Sequence, residues 1–348
     1  MQEIQRLAMA EPLSNAAAHQ SVPEAYVFPA HKRPGSSPSP GGAAIPVVDL
    51  GGDDPDRIGK QIIDAGREFG LFQVINHGVP EQVMGEMMAS AEEFFRLPRE
   101  EKMALYSTDS KKLPRFHTSL GNEQEELLYW RDCLKLGCYP LEQFRHHWPQ
   151  NPASLRAALE AYTTAVRAVA LRLLRLTAAG LGLDEGHFEG DLTAGAVIMN
   201  VNHYTPCPDP TVTLGLVPHC DPNVVTVLTD NGVRGLQTRR RGGGGWDDVV
   251  PLPGALVVNF GHQMEVVSNG TLRGGEHRVV TNARAGRTSL ATFLMPAMDC
   301  AVSPAPGLVA DGEASLYRPY TYQEFLGAYT AAVGDRDTVL ACFQLNKD

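Results

Sequence analysis

The stretch LVPHCDPNVVTVL (216–228) sets an imidazole, His219, and a carboxylate, Asp221, two positions apart, with Cys220 between them and β-branched residues following. On an extended chain residues i and i+2 project to one face, so both side chains reach toward one point while Cys220 points away. An H-x-D tripeptide also arises by chance, and alone it decides nothing. It becomes a site only with a third ligand and a reason for open coordination positions.

His277, in GGEHRVVTN, supplies the third candidate at the start of another β-rich run. Two imidazoles and one carboxylate on one face of an octahedron leave the other positions open, which suits a non-haem Fe(II) that binds both O2 and a substrate. A structural zinc site would instead use four protein ligands, often Cys, and close itself. Further on, Arg287 and Ser289 in GRTSLATF again share a strand face. A guanidinium fork beside a hydroxyl is a receptor for a carboxylate. The ordered series H-x-D, H, R-x-S is what lifts the tripeptide above chance.

The surroundings of these motifs decide the fold class. From residue 196 the runs AVIMNVNHY, NVVTVLTD, VRGLQTRR, ALVVNF, HRVVTN and TSLATFLMP are short, β-rich and separated by Gly, Pro and Asn turns. Such spacing without intervening helices predicts a sandwich or barrel. Upstream, IPVVDL (45–50) and LFQVINH (71–77) read as strands, and DRIGKQIIDAGREFG (56–70) and VPEQVMGEMMASAEEFFRLP (79–98) as helices. Asn151-Pro152 reads as a cap and first helical residue. It would open a long helix with an apolar stripe at Leu155, Leu159, Tyr162, Val166, Val169, Leu173 and Leu176, ending at Gly180 and Gly182. TYQEFLGAYTAAV (321–333) predicts a C-terminal helix. The chain is expected to divide into a loose Ala/Pro/Ser/Gly-rich arm (1–44), a helical region packed on the core (45–194), a β-core (195–300) and a C-terminal segment (301–348).

With 348 residues and 43% hydrophobic content the chain is long enough to bury a sizeable core. Its formal net charge of −10 argues against nucleic acid or an anionic membrane as partner. Arg239, Arg240 and Arg241, running into Gly242, read as a solvated hairpin tip. The six cysteines form no CxxC pair, which fits reduced thiols in the cytoplasm. No apolar run approaches the ~20 residues that span a bilayer. The leader is compatible with a plastid transit peptide in its Ala and Ser content, but Glu3, Glu11 and Glu24 oppose that reading.

Taken together, the sequence resembles the plant 2-oxoglutarate- and Fe(II)-dependent dioxygenases. The resemblance runs through 45–335 and rests on GLFQVINHGVP, FFRLPREEK, NVNHYTPCPDP, GLVPHCDPNVVTVL, VRGLQ, VVNFGHQMEVVSNG, EHRVV and RTSLATF. NVNHY, YWRDCLKL and VVNFGHQMEVVSNG look most like the subgroup with mugineic-acid-forming and hyoscyamine 6-hydroxylases. The resemblance implies an α+β fold, a distorted double-stranded β-helix (jelly-roll, cupin-like) with flanking helices. It implies Fe(II) on His219, Asp221 and His277, and 2-oxoglutarate on Arg287, Ser289 and Tyr204 with Asn202 beside it. O2 would take the last position, and ascorbate would keep the iron reduced. The reaction implied is hydroxylation of a small phenolic, alkaloid, indole, terpenoid or amino-acid-derived metabolite by a monomer, with release of succinate and CO2.

Substrate contacts are expected at Phe293 and Met295, which share the strand face of Ser289, and at Asn200 and Phe116. The stretch around Phe116 and His117 reads as a loop. Three residues depart from the family pattern: Cys220 between the ligands where Thr is common, His203 for Tyr, and His262 for Asp. Two rival readings are a non-enzymatic cupin-like binder, which would lack a ligand or the arginine, and a zinc hydrolase, which would leave Arg287 and Ser289 without a role.

Overall fold

The β-runs pair into two sheets that close around a cavity. In this computed structural model residues 11–15, 20–35, 44–119, 127–243, 245–309, 314–332 and 334–345 are described. The strands are β1 (Val47–Asp49), β2 (Leu71–Ile75), β3 (Arg115–Thr118), β4 (Asp132–Tyr139), β5 (Val197–Tyr204), β6 (Leu214–His219) and β7 (Val225–Asp230). They continue as β8 (Leu236–Thr238), β9 (Asp247–Asp248), β10 (Leu256–Phe260), β11 (His277–Val280), β12 (Arg287–Leu294), β13 (Ala301–Val302) and β14 (Tyr320–Thr321). The large sheet has the order β1-β2-β10-β7-β12-β5-β4-β3, and the smaller one β6-β11-β8-β9.

Alternation along each strand sorts the two faces of the large sheet. On β5, Val197, Met199 and Val201 enter the main core, while Ile198, Asn200, Asn202 and Tyr204 line the cavity. On β12 the same division puts Leu290 and Leu294 in the core and Arg287, Ser289, Ala291 and Phe293 on the cavity.

Helices cover the core face. They are α1 (Pro55–Glu68), α2 (Glu81–Arg96), the long α3 (Leu155–Gly180), the short α4 (His262–Val267) and α5 (Tyr322–Ala331). Asp54 caps α1, accepting from Arg57 N at 3.0 Å, and Gly70, at φ +68°, turns the chain from this helix into β2. The stripe from Leu155 to Leu173 on α3 is buried, and the Tyr162 hydroxyl anchors it to Thr229 of β7 at 2.7 Å.

Four expectations are corrected. First, α3 starts at Leu155, not at Asn151-Pro152: Ser154 holds the cap position, and the Asn151 side-chain amide donates to Glu101 Oε2 at 3.2 Å. Second, the region 45–194 adds two strands that were not expected, β3 and β4, to the expected β1 and β2, so that it supplies half of the large sheet. Third, Phe116 and His117 lie on strand β3, not in a loop. Fourth, the described part of the arm is packed against the body. Phe28 is fully buried and stacked on Tyr129 with ring centroids 6.2 Å apart, and Leu13 N and Ser14 N donate to the Asp132 carboxylate at 3.1 and 2.8 Å. Residues 1–10, 16–19 and 36–43 of the arm lie outside the described residues.

Candidate metal and cosubstrate site

His219 is the last residue of β6, and Asp221 follows it in the turn leading to β7. β11 pairs with β6 so that His277 stands directly opposite His219, with ring centroids 4.2 Å apart. The Nε2 atoms of His219 and His277 lie 3.6 and 3.9 Å from Asp221 Oδ1. All three donor atoms fall within 4.8 Å of one another, the spacing of ligands around one ion.

The atoms pointing away from this centre are all tied off. His219 Nδ1 is 2.9 Å from Val217 O, and His277 Nδ1 is 3.0 Å from Gly275 O. A carbonyl accepts only from N–H, so these contacts set the proton on Nδ1 and leave the Nε2 lone pairs facing inward. Asp221 Oδ2 accepts from Thr226 Oγ1 and from Asn259 Nδ2, both at 2.7 Å, which leaves Oδ1 for the centre. Gly275 is required here: a Cβ at that position would meet Asn259 Oδ1 at 2.0 Å and displace the residue that aims Asp221.

Charge follows the same pattern. Burial raises the Asp221 carboxyl, but the His277 and His219 imidazoles and the Thr226 hydroxyl outweigh it and hold the group well below the ordinary range. Burial, and then His219 beside it, pushes His277 down to about 4. The site is therefore an ionised carboxylate beside a neutral imidazole donor, the form a divalent metal ion requires.

Arg287, Ser289, Tyr204 and Asn202 line the same cavity of about 290 Å³. Pairing of β12 with β5 puts Arg287 opposite Tyr204 and Ser289 opposite Asn202. Arg287 is 2% exposed, and its Nη2 donates to Asp230 Oδ2 at 3.0 Å. Its Nε and Nη1 are buried and without a hydrogen-bond partner among the described residues. Buried N–H groups of a guanidinium are costly without an acceptor, and both of these face that cost in the absence of a bound group.

Phe293, Met295 and Asn200 also reach the cavity. Phe116 does not: its register partner is Leu134, on the core face, and its ring packs 6.2 Å from Phe94. Parity along β3 sends Phe116 to the helices and leaves Arg115 and His117 on the opposite face. The three departures from the family pattern stay off the metal. Cys220 Sγ turns to Gly274 O at 3.5 Å, and burial raises its thiol well above the usual value. His203 stacks on Phe95 at 4.8 Å. His262 is buried beside Phe325, pushed down to about 3 by burial and then Arg336.

Sequence reasoning did not single out Thr226, Asn259, Asp230, Arg131, Lys135 or Tyr329. The strand parity of Thr226 and Asn259 was available as a signal; Tyr329, which donates to Cys220 O at 3.0 Å, had none.

Comparison with known proteins bears on this arrangement. Residues 196–296 match the 2OG-Fe(II) oxygenase superfamily, and residues 45–151 match the N-terminal region of the non-haem dioxygenases of morphine synthesis. The chain is 41% identical to 2'-deoxymugineic-acid 2'-dioxygenase of Hordeum vulgare over 90% of its length and 91% of that protein. It is 40% identical to flavanone 3-dioxygenase 2 of Oryza sativa subsp. japonica, covering 95% and 97% of the two chains. Hyoscyamine 6-dioxygenase of Hyoscyamus niger shares 38% identity over 94% and 97%. Among solved structures, JOX2 in complex with 2OG, Fe and JA superposes with a TM-score of 0.84 at 30% identity, covering 98% and 97%.

Proposed function

As this chain belongs to the 2OG-Fe(II) oxygenase superfamily, we propose that His219, Asp221 and His277 hold Fe(II) and that Arg287, Ser289 and Tyr204 receive the distal carboxylate of 2-oxoglutarate, with Asn202 alongside. The enzyme is an Fe(II)- and 2-oxoglutarate-dependent dioxygenase of a small plant specialised metabolite or hormone. Its relatives act on mugineic acids, a flavanone and hyoscyamine, by their names. Hydroxylation is the reaction assigned, with O2 as co-substrate and ascorbate keeping the metal reduced.

When bound, Fe(II) with 2-oxoglutarate and O2 supplies the oxidation, converting 2-oxoglutarate to succinate and CO2 as a substrate C–H bond is oxidised. This chain supplies position and exclusion. Thr226 and Asn259 fix which carboxylate oxygen of Asp221 faces the ion. Asp230 holds the Arg287 plane in place through Nη2, leaving N–H groups of the guanidinium for the anion without rearrangement. Leu228, Leu236, Val257 and Val279 line the cavity with apolar surface that keeps water scarce. No side chain is assigned as general acid or base.

We place the enzyme in the cytoplasm as a monomer. Among the described residues no helix is long and apolar enough to cross a membrane. Val47, Val250, Leu252, Met298 and Leu345 are the large apolar side chains exposed there, fewer than an obligate interface uses.

The observation that carries the reading is the pairing of three convergent donor atoms with a buried, half-satisfied guanidinium in one cavity. Anaerobic titration with Fe(II) and then 2-oxoglutarate tests it through the weak visible charge-transfer band of the chelate. Absence of the band in wild-type protein refutes the assignment.

A further inference from the structure

The cavity carries a positive charge that neither the metal nor the cosubstrate uses. Across β3, β4 and β5 the register sets Arg115, Lys135 and Asn200 side by side on one pleat face. Lys135 and Asn200 line the cavity, and Arg131, four residues before Lys135 on the same side of the chain, lines it too. Among the described lining residues the one carboxylate is Asp221, which is committed to the imidazoles, Thr226 and Asn259.

Lys135 is partly buried, and the groups that act most on its ammonium are the Arg115 guanidinium and the Cys133 thiol, not a carboxylate. Burial and then Arg115 hold it below the ordinary lysine value. The neighbouring Asn200 Oδ1 is buried and without a hydrogen-bond partner among the described residues. A desolvated ammonium beside a second cation opposes folding, and an unbonded amide beside it adds to that cost. Such a pair is expected where an incoming group satisfies both.

The position relative to the metal is also set by register. Thr226, which holds Asp221, is on β7, and Lys135 is three strand spacings away, through β12 and β5 to β4. At ~4.8 Å per spacing this is roughly 14 Å across the strands, and the register adds two residues, roughly 7 Å, along them, for about 16 Å in a flat sheet and less in a curved one. A molecule of modest size spans that distance.

We propose that the substrate is a small organic acid whose carboxylate pairs with Lys135 and hydrogen-bonds Asn200, leaving the oxidised carbon at the metal, remote from the charge. This rests on the dioxygenase reading above and deepens it by naming the substrate class.

Calorimetric titration of Zn(II)-loaded protein, which binds without turnover, tests the proposal. Saturating 2-oxoglutarate keeps Arg287 occupied, and the probes are benzoate, phenylacetate, cinnamate and 2-naphthoate, each beside its own amide. At least one acid is expected to bind tenfold or more tightly than its amide. Lys135→Met should abolish that preference while leaving 2-oxoglutarate affinity within twofold and the melting temperature no lower than wild type, an outcome a merely structural lysine would not give. Lys135→Arg should keep the preference. Equal binding of acids and amides, binding of no acid, or a preference that survives Lys135→Met overturns the proposal. If 2-oxoglutarate binds and the acids do not, the anion assignment alone has failed; if 2-oxoglutarate does not bind either, the dioxygenase reading has failed with it.

Discussion

Replacing Arg287 by lysine keeps the charge and removes the fork, and the structure says what that should cost. The guanidinium gives Nη2 to Asp230 at 3.0 Å and holds Nε and Nη1 in reserve, buried and without partner among the described residues. A lysine ammonium that holds Asp230 has no rigid second N–H aimed at another carboxylate, as the planar guanidinium has. At least one charged hydrogen bond to the cosubstrate is lost, worth ~1.5–3 kcal/mol. With 1.4 kcal/mol per decade, 2-oxoglutarate affinity should fall by about 10- to 150-fold. The assay is calorimetric titration of Zn(II)-loaded protein with 2-oxoglutarate and, in parallel, with 2-oxobutyrate, which lacks the distal carboxylate. Arg287→Lys should weaken the first and leave the second within about twofold. Retention of 2-oxoglutarate affinity within threefold, or equal loss for both ligands, would refute the reasoning. Arg287→Met is the poorer probe, since it also removes the partner of the partly buried Asp230 and so lowers stability besides.

Other consequences concern the supports of the site and the edges of the fold. Thr226→Val and Asn259→Leu each free Asp221 Oδ2 from one donor, so Co(II) affinity measured against a competing chelator should drop ~10- to 100-fold with the fold intact; unchanged affinity in both variants would count against their aiming role. Lys102 donates to Ser14 Oγ and Phe95 O at 2.6 Å, and burial lowers its pKa from 10.5 to about 8. Between about pH 8 and 10.5 the unfolded chain then binds a proton that the folded one does not, so stability rises with pH across that window. Denaturation of wild type and Lys102→Met from pH 7 to 10 should show wild type gaining on the variant; a flat difference would contradict the shift. Phe28→Ala removes a fully buried ring stacked on the cavity residue Tyr129. It should cost ~3–5 kcal/mol in denaturant unfolding, whereas a loss below ~1 kcal/mol would mean the arm is not docked in solution.

What was legible in the sequence, and what was not, divides along one physical line. Arg287 and Ser289 were readable because two residues on one strand fix their own geometry, and the same spacing found His219 and Asp221 although the strand ends at His219. That His277 would face His219 depended on the pairing of β6 with β11, which no local pattern encodes. The donors that tie off Asp221 come from β7 and β10, so they too are products of register.

The errors share a cause. In DCLKLGCY the lysine stands between two leucines, a pattern that in an open sheet marks a solvent face. Here the sheet curls around a cavity, and its polar face becomes the inner wall. Lys135 then looks like an ordinary surface lysine, and Phe116, the more conspicuous recognition residue, is the one the pleat turns into the core. Parity relative to a neighbouring strand known to face the site corrects both at once. Asn200 and Asn202 lie on the cavity side of β5, so their partners Lys135 and Cys133 on β4 share that side, and through them Arg115 and His117 on β3. Phe116 and Leu134 take the other. One correctly placed strand and the pairing registers therefore locate the polar wall of the cavity, whereas hydrophobicity by itself points to Phe116, which lies in the core.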